Sequence, residues 1–144
     1  MEDFVVVASG YFDPLHVGHI EYLELAKSLA IKRAGEHGKL YVIVNNDYQA
    51  KLKKGKPFMR LEDRIKIVAS LKSVDRVIGS VDTDESVCRT LEIISPTPKI
   101  FAKGGDRTIY NIPEREVCER LGIEIVDGLG KKIRSSSLFL KDYK

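Results

Sequence analysis

Phe4-Val5-Val6-Val7-Ala8-Ser9-Gly10-Tyr11-Phe12-Asp13-Pro14-Leu15-His16-Val17-Gly18-His19 is the stretch that decides the fold. The run from Phe4 to Ser9 is apolar and rich in β-branched side chains. It reads as a strand buried on both faces, which implies a parallel sheet. Gly10 to Leu15 is a turn punctuated by Asp13-Pro14. From Val17 the period changes: Ile20, Leu23, Ala26 and Ala30 recur at three- and four-residue spacing, the pattern of one buried helix face. Gly35 and Gly38 close that helix.

The same alternation continues down the chain. Leu40-Tyr41-Val42-Ile43-Val44 is a second buried strand. Asn45 to Phe58 is polar and lysine-rich and reads as a long loop of the functional or mobile kind. Leu61, Ile65, Val68 and Leu71 mark a helix, and Arg76-Val77-Ile78-Gly79 a short third strand. Asp84-Glu85 open a helix running to about Ile94, acidic residues suiting its positive end. After Pro96 and Pro98 come a fourth strand, Lys99 to Ala102, and a turn at Gly104-Gly105-Asp106. Pro113 suits the first turn of a helix that Gly122 ends. Ile123 to Val126 is the fifth strand, and Ser135 opens a last short helix. Strands alternating with helices predict an α/β fold: a Rossmann-like open parallel sheet of about five strands, helices on both faces, residues 1–144 forming one domain.

Composition narrows the classes. The chain has 144 residues, 43% hydrophobic and 31% charged, an ordinary globular profile. A net charge of +3 is too small to argue for nucleic acid and suits a small anionic substrate equally well. Cys88 and Cys118 show no metal or redox spacing and read as reduced thiols of a cytoplasmic protein. No run approaches the roughly 18 apolar residues of a membrane span, so no membrane partner is expected.

Ligands of open α/β sheets sit at the carboxyl ends of the strands, near a topological switch point. That rule puts four segments on one rim: Ser9 to His19, Asn45 to Phe58, Lys103 to Asp106, and the turn before Ser135. The first is a strand-to-helix turn, whose free N–H groups form an anion site before any side chain is counted. Gly10 and Gly18 leave room for a phosphate. His16 and His19 are three apart and share a helix face. Each imidazole donates a proton or carries charge near neutral pH. Taken singly, a histidine here is ordinarily a cap or a packed ring, and Asp13 is either a turn former or a functional carboxylate. Two histidines also suit a metal, but no third ligand is visible nearby. Lys51-Leu52-Lys53-Lys54-Gly55-Lys56 is either a solvated loop or a mobile clamp over substrates. Lys103-Gly104-Gly105-Asp106 is either a plain turn or a place where backbone and carboxylate meet a ribose. Arg134-Ser135-Ser136-Ser137 is either a helix cap or a phosphate cradle.

Gly10-Tyr11-Phe12-Asp13-Pro14-Leu15-His16-Val17-Gly18-His19 resembles the signature of the cytidylyltransferase-like superfamily, Gly-x-Phe-Asp-x-x-His-x-Gly-His. Arg134-Ser135-Ser136-Ser137 resembles its second signature, Ile-Ser-Thr-Thr or Arg-Ser-Thr-Thr. The similarity runs from Phe4 to Ser137. Val44-Asn45-Asn46-Asp47, the following lysines, Glu62-Asp63-Arg64 and Lys103-Gly104-Gly105-Asp106 look most like the adenylyltransferase domain of bacterial heptose 1-phosphate enzymes. Glycerol 3-phosphate cytidylyltransferases and archaeal FAD synthetases are also similar. The cytidylyltransferases carry an arginine and a threonine shortly before the second signature, where this chain has Gly130-Lys131-Lys132-Ile133. That departure favours ATP over CTP.

The resemblance implies a nucleotidylyltransferase that moves a nucleoside monophosphate from ATP or CTP to a small phosphorylated acceptor, first of all a sugar phosphate and alternatively glycerol phosphate or FMN, and expels pyrophosphate. His16 and His19 would contact the triphosphate and stabilise the transition state. Lys51 or Lys54 would hold phosphates, and Arg64 would reach them from the helix after the loop. Gly10, Tyr11, Phe12, Asp13 and Gly18 would shape the first nucleotide-binding turn; Lys103, Gly105 and Asp106 would lie near the ribose; Arg134, Ser135, Ser136 and Ser137 would cradle the β- and γ-phosphates. Mg²⁺ would bridge the triphosphate with few protein ligands, and the resemblance also implies a homodimer. The attacking phosphate oxygen has a second pKa of about 6 and is largely ionised at neutral pH, so no general base is required, and the chain shows no Ser-His-Asp or Cys-His set. Two other classes compete. One is a nucleotide-binding module without catalysis. The other is a redox or dinucleotide-binding domain, against which stands the absence of Gly-x-Gly-x-x-Gly after the first strand.

Overall fold

The structure is a computed structural model that describes residues 2–104 and 112–129. Within them, five strands form one sheet in the order β3-β2-β1-β4-β5, every neighbouring pair parallel. β1 is Phe4–Gly10, and its central residues Val5 to Ala8 are wholly buried, as a run apolar on both faces requires. α1, Val17–Ala34, follows and buries Tyr22, Leu23, Ala26 and Ala30. A short 3₁₀ turn, Gly35–His37, leads into β2, Gly38–Val44. A Cβ at Gly38 would stand 2.1 Å from the Ala30 carbonyl oxygen, so only glycine lets the second strand start this close under the helix.

The segment after β2 differs from the expected loop. α2 spans Asp47–Lys54 and is closed at its start by a reciprocal box: Asn46 Oδ1 accepts the Gln49 N–H, and Gln49 Oε1 accepts the Asn46 N–H. It ends at Gly55, whose φ of 85° is left-handed. With so polar a helix, apolar periodicity gives no signal, whereas the cap residues three apart do. α3, Leu61–Ala69, stops before Leu71, and β3 is Arg76–Gly79 as expected. The helix expected from Asp84 begins later: α4 is Cys88–Ile93. Asp84 Oδ1 instead accepts from the Ser86 N–H and hydroxyl at 2.9 and 2.7 Å, a local turn that competes with helix. β4 is Ile100–Gly104, two residues longer than expected at its carboxyl end; α5 is Arg115–Leu121, stopped by left-handed Gly122; and β5 is Glu124–Leu129. The helix expected at Ser135 lies outside the described residues.

Each sheet face carries its own apolar layer. Val6, Ala8, Leu40, Val42 and Val44 pack with α1 and with Val68 of α3. Val5, Val7, Tyr41, Ile43 and Phe101 pack with Leu91 of α4 and with Val117 and Cys118 of α5. Helices on both faces and a sheet order reversing between β1 and β4 make this an α/β Rossmann-like fold. The switch point lies at the carboxyl ends of β1 and β4. Among the described residues no helix is long and apolar enough to cross a membrane.

Candidate active site

The turn leaving β1 holds both histidines by reciprocal hydrogen bonds. His16 is the N-cap of α1, and its Nδ1 accepts the Gly18 N–H at 3.1 Å. His19 Nδ1 reaches back to accept the His16 N–H at 3.0 Å. Two orphan N–H groups of the helix start are thereby satisfied. Both Nδ1 atoms are acceptors, so each neutral ring carries its proton on Nε2 and keeps one donor there. The rings stack with centroids 3.8 Å apart, and Phe12 meets His19 edge-on at 5.0 Å. Phe12 is buried with φ 52°, a left-handed backbone that folds its ring back over Gly10. A Cβ on Gly10 would sit 2.9 Å from that ring. Gly10 therefore makes room for Phe12 as well as for any ligand.

This packing decides the charge of the pair. Burial lowers the His16 pKa. Burial first, and the neighbouring His16 second, push His19 down from 6.5 to about 4. At neutral pH both rings are hydrogen-bond donors, not cations, which refines the sequence expectation. The unfolded His19 binds a proton below 6.5 while the folded one does not until about 4. The ring's contribution to stability is thus complete above 6.5 and lost as pH falls toward 4, on the order of 3 kcal/mol. We expect His19→Asn to flatten the fall of the urea midpoint across that window; a profile parallel to wild type would contradict this.

Asp13 is the latch of the turn. Its carboxylate is shut off from solvent, pairs with Lys54 Nζ at 2.9 Å and accepts the Phe58 and Met59 N–H groups at 2.7 Å each. Burial alone would raise its pKa, but Lys54 and the two N–H groups hold it below the usual carboxylate range. Lys54 Nζ also donates to the Asp13 carbonyl at 2.9 Å. Of the two loop lysines expected at phosphates, Lys54 is thus committed to the turn, while Lys51 is exposed on the last turn of α2. Lys53 Nζ lies 4.7 Å over the Tyr11 ring, a cation–π contact.

Arg64 sits otherwise than expected. Its side chain is fully buried. Nε donates to the Met59 carbonyl at 2.9 Å, Nη1 to the carbonyls of Tyr11 and Asn45 at 2.9 and 2.7 Å, and Nη2 to Asp47 at 2.6 Å. These bonds join the β1 turn, the end of β2, α2 and the segment before α3. Desolvation selects this arrangement, because a buried guanidinium must find acceptors for its donors. Beneath the rim lies a polar layer that sequence reading missed. Asn46 Nδ2 donates to the carbonyls of Ser80 and Asp82, Gln49 Nε2 to those of Asp84 and Ser86, and buried Asp82 accepts from the Thr90 N–H and hydroxyl. The Asn46-x-x-Gln49 spacing was its visible signal.

Across the switch point, Lys103 stands near the end of β4 with Nζ 5.1 Å over the Phe101 ring. Gly105, Asp106, Arg134, Ser135, Ser136 and Ser137 lie outside the described residues, although β5 ends at the same edge of the sheet. Three of the four expected segments therefore start from one rim of parallel strands.

Comparison with known proteins agrees with this geometry. A sequence model of the family described as Cytidylyltransferase-like matches residues 7–127. The FAD synthase of Methanopyrus kandleri is 35% identical over 122 residues, covering 83% of this chain and 74% of that protein. The bifunctional protein HldE of Geobacter sulfurreducens is 35% identical over 133 residues, covering 86% of this chain and 24% of that protein. The crystal structure of a lipopolysaccharide core biosynthesis protein from Thermoplasma volcanium matches with a TM-score of 0.67 at 29% identity, over 86% of this chain and 94% of that one. With the matched region running from within β1 to within β5 and including the paired histidines, the chain belongs to the cytidylyltransferase-like family, and so to the nucleotidyltransferases.

Proposed function

We propose that the chain transfers an adenylyl group from ATP to a small phosphorylated acceptor, releasing pyrophosphate. The observation that carries this reading is the reciprocal histidine cap at the switch point: two neutral imidazoles, each with Nδ1 occupied, leave two Nε2–H donors at a helix start. Such donors suit phosphate oxygens, and they stabilise charge as it moves from the α-phosphorus bridge onto the departing pyrophosphate. The acceptor's phosphate oxygen attacks the α-phosphorus in line, and the bond to the β-phosphate oxygen breaks. Arg64 and Asp13 act as positioning residues that hold the turn and the segment 54–59 in place. Lys51 supplies mobile positive charge.

Among the described residues no three His, Cys, Asp or Glu side chains converge to hold a metal. Mg²⁺ brought with the triphosphate would neutralise part of its charge. The acceptor is a sugar phosphate or FMN. The chain spans 74% of the FAD synthase and 24% of HldE, and its identity to each is 35%.

A pyrophosphate-release screen of ATP and CTP against sugar, polyol and flavin phosphates tests the proposal. Turnover with ATP and one acceptor class is expected; nucleotide binding with no turnover across the panel would instead favour a non-catalytic module. Lys51→Ala should raise the KM for ATP by about threefold to tenfold, the scale of one partly screened charge contact, with the urea midpoint unchanged. An unaltered KM would remove Lys51 from substrate capture.

A further inference from the structure

Tyr22 lies where the pairing of β1 with β4 ends. The two strands stay paired through Ala8↔Ala102; beyond it, β1 continues only with β2, at Ser9↔Ile43 and Gly10↔Val44, and β4 only with β5, at Gly104↔Leu129. At that parting the Tyr22 hydroxyl donates to the Ala102 carbonyl at 2.5 Å and accepts the Ser9 N–H at 3.3 Å. One phenol oxygen thus ties the two strands where their pairing ends. The ring also packs closely on the end of β4: a Cβ on Gly104 would lie 3.0 Å from the Tyr22 ring and 2.8 Å from the Leu129 carbonyl oxygen. Tyr22 belongs to α1, three residues after His19, and the two share a helix face. Burial pushes the phenol pKa up, so the hydroxyl stays a donor at any working pH.

A ligand lying across a switch point touches the turns after both strands. Its grip depends on the distance between the two strand ends, and here one side chain from the histidine helix bonds to both strands. We propose that Tyr22 is a positioning residue that couples the histidine turn to the carboxyl end of β4, at Ala102 and Gly104, and so sets the span across which the nucleoside triphosphate is held. This rests on the reading of the site as a triphosphate site.

The test uses Tyr22→Phe, which keeps the ring against Gly104 and removes only the oxygen. Val68→Ala, a truncation in the apolar layer under α3, serves as the comparison for general destabilisation. Binding of ATP and of CTP, each with Mg²⁺, is measured by titration calorimetry on the full chain, together with amide exchange at Ser9. Wild type is expected to bind one of the two nucleotides. Tyr22→Phe should bind it about tenfold more weakly, the scale of one buried hydrogen bond, with faster Ser9 exchange, and Val68→Ala should bind as wild type does. If wild type binds neither nucleotide, the triphosphate reading fails and Tyr22 falls with it. If wild type binds and Tyr22→Phe is indistinguishable, or Val68→Ala weakens binding equally, only the Tyr22 assignment is overturned.

Discussion

His19→Asn should lower turnover by about a hundredfold to a thousandfold, the range seen when one transition-state donor is removed, while keeping the cap bond and losing from the fold's stability only the ring's packing. The substitution separates two jobs that one ring performs. Asparagine Oδ1 can take the place of Nδ1 and accept the His16 N–H, now bonded at 3.0 Å. It does not reach where Nε2 reaches. The cap survives and the donor is lost. His19→Ala removes both, so it should show the same loss of turnover together with about 1 kcal/mol of lost stability from the missing cap and further loss from the ring's packing. Steady-state kinetics and urea unfolding on the two variants separate the roles. Equal instability in both would mean that the cap bond contributes nothing, and near-normal turnover in His19→Asn would mean that the Nε2 donor is idle.

Arg64→Lys should destabilise the fold by about 3–5 kcal/mol, as removal of one partner from a buried ionic network does, and should reduce turnover as a consequence. A lysine keeps the charge but not the fork. It offers one nitrogen where the guanidinium reaches Met59, Tyr11, Asn45 and Asp47 from three. Asp47 is partly exposed and recovers water, but the three carbonyls lose their donors and the ammonium stays buried. This result distinguishes positioning from direct phosphate contact. A residue contacting phosphate at an open site would tolerate lysine with a normal urea midpoint and a raised KM. Arg64 in its observed place should show a lowered midpoint in the absence of any nucleotide.

These two residues also show where sequence was informative and where it stopped. The β1 run, the turn and the α1 periodicity were legible because burial on both faces of a strand leaves an unbroken apolar signature, and because glycine and proline mark turns. The strand position at 40–44 was legible for the same reason, whereas 76–79 is an edge strand, exposed or half-buried throughout, marked only by its short Val77-Ile78 run. α2 was not, because an eight-residue helix with four lysines or acids to two buried positions leaves no apolar stripe; its signal lay in the Asn46 and Gln49 cap and in Gly55. The charge of His16 and His19 was also hidden, since it depends on desolvation by Phe12 and on mutual contact, which arise only when the left-handed turn folds the ring back. The resemblance implies phosphate contact for Arg64, but a sequence does not display the buried carbonyls that surround its side chain. Asp13 makes three bonds to a segment more than forty residues away, which its place before a proline does not display. The expected serine cradle and the Gly105-Asp106 turn lie beyond the described residues and remain proposals for the triphosphate and ribose.

Pyrophosphate release under saturating ATP and Mg²⁺, coupled to mass analysis of the acceptor and run on wild type beside His19→Asn, tests the reading of the site most directly. Wild type is expected to form one nucleotidylated acceptor for each pyrophosphate released, and His19→Asn to lose that turnover while still binding ATP. Release of orthophosphate in place of pyrophosphate, or turnover in His19→Asn equal to wild type, would contradict it.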